Sequence, residues 1–154
     1  MAGTYSKIYI HIVFAVKKRE SLIQSTWENQ LYQYITGIVQ NKGQKMLSIN
    51  GMPDHIHILI GFKPTCSLSD LVREIKKSST NFINENKFCS HNFYWQEGYG
   101  ALSHSHYQLD IAVKYVINQK AHHKTKSFKN EYIEFLNENE IDFQPEYLFE
   151  WLEN

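Results

Sequence analysis

Apolar residues along the chain first alternate, then recur every three or four positions, then alternate again. Between Lys7 and Val16, Ile8, Ile10, Ile12, Phe14 and Val16 alternate with Tyr9, His11, Val13 and Ala15, which predicts a strand with one wholly apolar face. Trp27, Leu31, Ile35, Ile38 and Val39 follow at helical spacing and stop near Gly43. Lys45 to Asn50 predicts a second strand, Gly51-Met52-Pro53-Asp54 a turn, and His55 to Phe62 a third strand. A second helix is expected to start at Ser67, with Asp70 as an acidic partner near its N-terminus and an apolar stripe of Leu68, Leu71, Val72, Ile75, Phe82 and Ile83. Phe93 to Leu102 reads as a fourth, aromatic-rich strand loosened by Gly98 and Gly100. A third helix is expected from about Ser105 to His122 and a fourth from about Phe128 to Asn139, with Pro145 interrupting the remainder before Trp151.

The order β-α-β-β-α-β followed by helices predicts an α+β fold, a ferredoxin-like or RRM-like four-stranded antiparallel sheet. Two crossover helices would cover one face, leaving the other for the later helices. The stripe Leu109, Ala112, Val113, Val116 and Ile117 is expected to be the buried side of the third helix.

Composition narrows the class. With 42% hydrophobic, 14% aromatic and 21% charged residues in 154, the chain is globular rather than disordered. No apolar run is long enough to span a membrane, and the N-terminus lacks the layout of a signal peptide. Cys66 and Cys89 form neither a CxxC pair nor a metal-ligand spacing, so a reduced, cytoplasmic chain is expected. The net charge of zero conceals an asymmetry. Residues 131–154 hold eight acids and no Lys or Arg, while residues 1–130 hold all 16 bases against eight acids, a balance of +8. A basic body with an acidic tail suits a polyanionic partner.

The third strand carries the candidate chemistry. Ile56, Ile58, Ile60 and Phe62 must face the crossover helices, so His55 and His57 project together from the other face, where imidazoles at i and i+2 can share one divalent ion. Because the pair faces away from the crossover helices, its replacement by alanine is expected to cost little stability. A third ligand must come from elsewhere, and Tyr115 and Gln119, four apart on one flank of the third helix, are within reach if that helix crosses the open face. His122 continues that flank. His104-Ser105-His106 repeats the HxH spacing at a strand-to-helix junction and is expected to be uninvolved, and His11 reads as a structural histidine. Lys17, Lys18 and Arg19 at one strand end, and Arg73, Lys76 and Lys77 on a helix face, are either phosphate contacts or solvated faces.

These residues together resemble the HUH single-tyrosine transposases of small bacterial insertion sequences, TnpA-like proteins with the REP-associated tyrosine transposases as relatives. His55-Ile56-His57, in the setting Gly51-Met52-Pro53-Asp54, matches the motif of histidine, bulky hydrophobic, histidine. Trp95-Gln96-Glu97-Gly98-Tyr99 resembles the fourth-strand motif, and Tyr115-Val116-Ile117-Asn118-Gln119 with His122-His123-Lys124 resembles the nucleophile helix. The resemblance runs in order from about Tyr5 to Lys126 and does not reach the acidic tail.

The resemblance implies a DNA transposase that cleaves and rejoins single-stranded DNA with hairpin ends through a 5′-phosphotyrosine. It implies Tyr115 as nucleophile, His55, His57 and Gln119 as ligands of Mg²⁺ or Mn²⁺, and a homodimer, with no nucleotide cofactor and no membrane partner. A phenol needs help to ionise at neutral pH, and the sequence identifies no base; His122 is a candidate helper, with a phosphate or surface contact the preferred expectation for it. Lys17, Lys18, Arg19, Arg73, Lys76, Lys77 and His122 are the candidate DNA contacts. Residues 1–130 would form the catalytic domain and 131–154 an acidic helical extension of it. Two rivals remain: a replication or relaxase HUH nickase, and a non-catalytic or domesticated hairpin-binding protein. The RRM signature of aromatics on the central strands is absent, histidines standing there instead.

Overall fold

Strand pairing sets the frame. A computed structural model describes residues 3–152. Strands β1 (Ile8–Ala15), β2 (Lys45–Met52), β3 (His55–Phe62) and β4 (Gly100–His104) form one antiparallel sheet in the order β2-β3-β1-β4. With α1 (Glu28–Asn41) and α2 (Leu68–Glu85) as crossovers, this is the expected ferredoxin-like topology. On the first face, Ile12, Phe14, Ile56, Ile58 and Ile60 are buried with Leu31, Ile35 and Val39 of α1 and Leu71, Ile75 and Ile83 of α2. Each such side chain contributes roughly 1.5–3 kcal/mol of burial. The Ser67 side chain accepts from the Asp70 amide and so caps α2, as the sequence signals.

The second face is covered as well. Helix α3 (Leu109–Ile117) crosses β2 and β3, packing Ala112 and Val116 on Leu59. Helix α4 (Gln119–His122) and α5 (Phe128–Glu138, capped by Ser127) complete the cover, and Tyr132 and Leu136 of α5 pack with Phe149. Helix α5 therefore runs straight through the 130/131 junction where the charge balance changes.

Two expected elements differ. The stretch from Phe93 to Leu102 is not one strand. Trp95 bridges to Val16 and plants its indole on Ser79 (2.9 Å), Gly98 turns the chain at φ +85°, and only then does β4 begin. The expected helix over 105–122 is also divided. A 3₁₀ turn occupies His106–Gln108, and α3 stops at Asn118, a residue type that favours helix ends. The Asn50 side chain donates to the Ile117 carbonyl (2.7 Å), tying that end of α3 to β2. Ile117 is exposed rather than part of the buried stripe.

Among the described residues no helix is long and apolar enough to cross a membrane. Cys66 and Cys89 are free thiols.

Candidate active site

His55 and His57 project from β3 onto the second face, as the alternation requires, but that face is not open. Both are fully buried, and the His55 ring stacks on Phe128 of α5 with centroids 3.7 Å apart. The expectation that both could be removed at little cost therefore fails, because α5 seals them in and their loss would leave a cavity.

Each ring has a partner at Nδ1. His55 Nδ1 donates to Asp54 Oδ1 at 2.7 Å, and His57 Nδ1 lies 2.7 Å from His11 Nε2. Their Nε2 atoms converge on Glu131, 3.4 Å from Oε1 for His55 and 3.1 Å for His57. His123 Nε2 joins them, 3.2 Å from the same oxygen and 3.1 Å from Gln119 Oε1. The other oxygen of Glu131 accepts from the Tyr115 hydroxyl and from Gln119 Nε2 (3.3 Å). His122 Nε2 lies 3.3 Å from the Tyr115 oxygen. Tyr115, His55, His57 and Gln119, far apart in the chain, are thus brought together, with Gln119 completely buried.

Glu131 and His123 are the two members that the sequence reading passed over. Glu131 was one of eight acids in a tail read as a charged extension. The signal was its spacing: with Phe128, Tyr132 and Phe135 it falls on the apolar side of α5. His123 stands four residues after Gln119, as Gln119 does after Tyr115, and that repeat marked it.

The electrostatics follow from burial. Burial opposes the Glu131 carboxylate, but the imidazoles of His123, His55 and His57 that face it outweigh burial and hold the group ionised far below the ordinary range. Burial and the Glu131 charge push the Tyr115 phenol well above its usual value. Burial lowers His57 to about 4, against the pull of Glu131, and lowers His11 well below the usual imidazole range. Burial also opposes the His55 cation, yet Asp54 and Glu131 prevail and raise it.

The residues fit a divalent metal. Ligand atoms of His55, His57, His123 and Glu131 all lie within 4.8 Å of one another. His55 Nε2 is buried without a hydrogen-bond partner, and its Nδ1 proton is committed to Asp54, so a bare nitrogen points into the cluster. A carboxylate behind a histidine in this way orients a metal ligand. The Gln119 oxygen sits beside His123 at the rim of the same cluster.

The remaining candidates lie apart. Arg73, Lys76 and Lys77 line a groove of about 740 Å³ between α2 and the Tyr94–Tyr99 segment, on the side of the sheet away from Tyr115. Within it Arg73 pairs with Asp70 (2.8 Å), and Lys76 donates to the carbonyls of Gln96 (2.8 Å) and Gly98 (2.6 Å). Lys17, Lys18 and Arg19 are exposed beyond the end of β1 and do not line that groove. A cleft of about 370 Å³ reaches Tyr115 from the β4 side, lined by His11, Ser103, His104, Ile111 and Phe135. His104 stacks near His11 at 5.8 Å and His106 bonds Tyr9, so this second HxH pair stays outside the four-residue cluster.

Known proteins share this architecture. A structure described as a candidate transposase from Deinococcus radiodurans R1 superimposes with a TM-score of 0.60 at 22% identity, covering 77% of this chain and 95% of that one. A REP-associated tyrosine transposase solved with a REP hairpin gives 0.59 at 18% identity, covering 80% and 73%. The curated ISDra2 transposase TnpA of Deinococcus radiodurans is 25% identical over 77 residues, so the match spans half of this chain and 55% of that relative. Residues 4–119 match the family model of IS200-like transposases, and the chain belongs to that family.

Proposed function

We propose that this transposase cleaves and rejoins single-stranded DNA through Tyr115, assisted by a divalent metal held by His55, His57 and Glu131, with His123 and Gln119 beside it. The observation that carries the reading is the single carboxylate of Glu131, which faces three histidines with one oxygen and the Tyr115 hydroxyl with the other. When bound, Mg²⁺ or Mn²⁺ supplies charge that polarises the phosphate and favours departure of the 3′-oxygen.

The chain's own groups do the rest. Tyr115 is held protonated at neutral pH, and the groups within reach of its proton are Glu131 and His122. Attack by the phenolic oxygen forms the O–P bond as the P–O3′ bond breaks, leaving a 5′-phosphotyrosine whose ester a later 3′-hydroxyl can reverse. The cleft of about 370 Å³ beside Tyr115 gives a strand access to it. Hairpin DNA as partner rests on the hairpin-bound relative and on the +8 balance of residues 1–130. A homodimer accords with the exposed Ile117 at the end of α3.

The test is direct. The full chain, incubated with single-stranded element-end DNA and Mg²⁺, should form an adduct that survives denaturing electrophoresis and maps to Tyr115 by peptide mass. Cleavage undiminished in excess chelator, or an adduct at Tyr99 or Tyr107, would overturn the reading.

A further inference from the structure

His57 has to solve a problem that His55 solves with Asp54. A neutral imidazole carries one proton, so a ring that offers Nε2 to a metal must carry that proton on Nδ1. For His57 the alternative lies close at hand: with the proton on Nε2 the ring donates to Glu131 Oε1, 3.1 Å away, and the ligating nitrogen is blocked. Which nitrogen is bare depends on what stands at Nδ1. That position is buried, and its partner is His11 Nε2 at 2.7 Å.

We infer that His11 is a positioning residue that accepts the His57 Nδ1 proton and thereby presents a bare His57 Nε2 to the metal. This rests on the reading of His55 and His57 as ligands. The geometry is built by the sheet: His57 pairs with Val13 and His11 with Leu59, so the two histidines are diagonal neighbours on one face. Rings of His104, Tyr115 and Phe135 surround His11 at 5.8, 6.1 and 5.7 Å and hold its orientation. At 2% exposure no bulk water competes for the hydrogen bond. Were no acceptor present, an Nδ1–H on His57 would be a buried, unsatisfied donor, and the ring would turn its proton toward Glu131 instead. Asp54 and His11 are then counterparts, one behind each histidine of the motif.

The experiment measures Mn²⁺ binding by the full chain in the absence of DNA. His11→Phe keeps an aromatic ring but no acceptor, and should weaken Mn²⁺ binding about 10- to 100-fold, the usual cost of losing an outer-shell partner. His11→Gln can place its side-chain carbonyl where Nε2 stood, and should bind within about threefold of the unaltered chain on the same ground. Equal affinity for His11→Phe and the unaltered chain, or a His11→Gln chain as weak as His11→Phe, overturns the inference. Should His11→Phe fail to fold, the unaltered chain loaded with Zn²⁺ decides by ring nitrogen NMR. His11 protonated at Nδ1 with a bare Nε2 supports the inference, and His11 protonated at Nε2 overturns it. An unaltered chain that binds no Mn²⁺ removes the metal reading and this inference with it, whereas binding that survives His11→Phe removes only the inference.

Discussion

The Tyr115 hydroxyl donates to the Glu131 carboxylate, sixteen residues further along the chain and on another helix. The bond joins the last turn of α3 to the first turn of α5. It also places the family's candidate nucleophile and the histidine cluster on two oxygens of one side chain.

Tyr115→Phe should keep the fold, since the ring stays and Glu131 retains its histidine partners. The expected result is unchanged DNA affinity and loss of covalent adduct to background, read on a denaturing gel. An adduct of undiminished yield would assign the attack elsewhere.

Glu131→Gln preserves shape but halves the carboxylate's acceptor capacity and removes its charge. Mn²⁺ binding should fall by more than about tenfold, the scale seen even for outer-shell losses. Glu131→Ala should in addition destabilise the metal-free chain by roughly 3 kcal/mol, because several buried donors lose a charged partner at once. Calorimetry and urea unfolding measure the two effects.

In chelator, stability should fall as pH drops from about 6.5 to about 4. His57 is lowered to about 4 and His11 is lowered too, so across this window the unfolded chain binds protons that the folded chain refuses. His55, raised by Asp54 and Glu131, works the other way, its contribution being fully present below about 6.5. Glu131, whose value is depressed, loses its contribution only as pH falls below the ordinary carboxylate range. Two rings whose cations the fold opposes, His57 and His11, stand against one that it favours, His55, so the net change is a loss of stability. Urea unfolding at pH 7 and at pH 4.5 checks the sign, and equal or greater stability at the lower pH contradicts it.

Lys76 and Lys77 are adjacent but should act differently on DNA. Lys76 is committed to two carbonyls and sits 5.3 Å over the Phe14 ring, and burial lowers its amine to about 8. Lys77 is exposed at the groove. Lys77→Ala should reduce the salt dependence of hairpin binding by roughly one contact, about 0.7 in log–log slope for a single strand. Lys76→Met should leave the slope unchanged and show in thermal stability instead. Equal slopes for the unaltered chain and Lys77→Ala would remove this groove as a phosphate site.

Much of this fold was legible because β3 alternates without a break from His55 to Phe62, which fixes both the core face and the direction of the two histidines. Ser67 and Ser127 stand at the two helix starts where a capping side chain is needed. The fourth strand was misplaced because Phe93 and Trp95 have strand-like residue types, yet they plug the core edge, while the chain reverses at Gly98 before β4. The site was half legible. His55, His57, Tyr115 and Gln119 carry a motif, and His123 lies in the quoted motif segment without a role of its own there. Glu131 takes its meaning from tertiary neighbours, and net charge over a segment averages a buried acid with exposed ones. The family match, ending at residue 119, stops before both.

The depth of the histidine cluster has a kinetic consequence. With His55 and His57 fully covered and Glu131 at 1% exposure, α5 stands between these ligands and both an incoming ion and the phosphate that the ion would polarise. Exchange through that cover takes a local opening of α5, and its rate then depends on the free energy of that opening as well as on ligand strength. The Ser127 cap and the packing of Phe128, Tyr132 and Leu136 against Phe149 become determinants of how long a captured ion stays. Weakening that packing would quicken both capture and escape in equal proportion, shortening residence while leaving the equilibrium constant of the intact site nearly untouched.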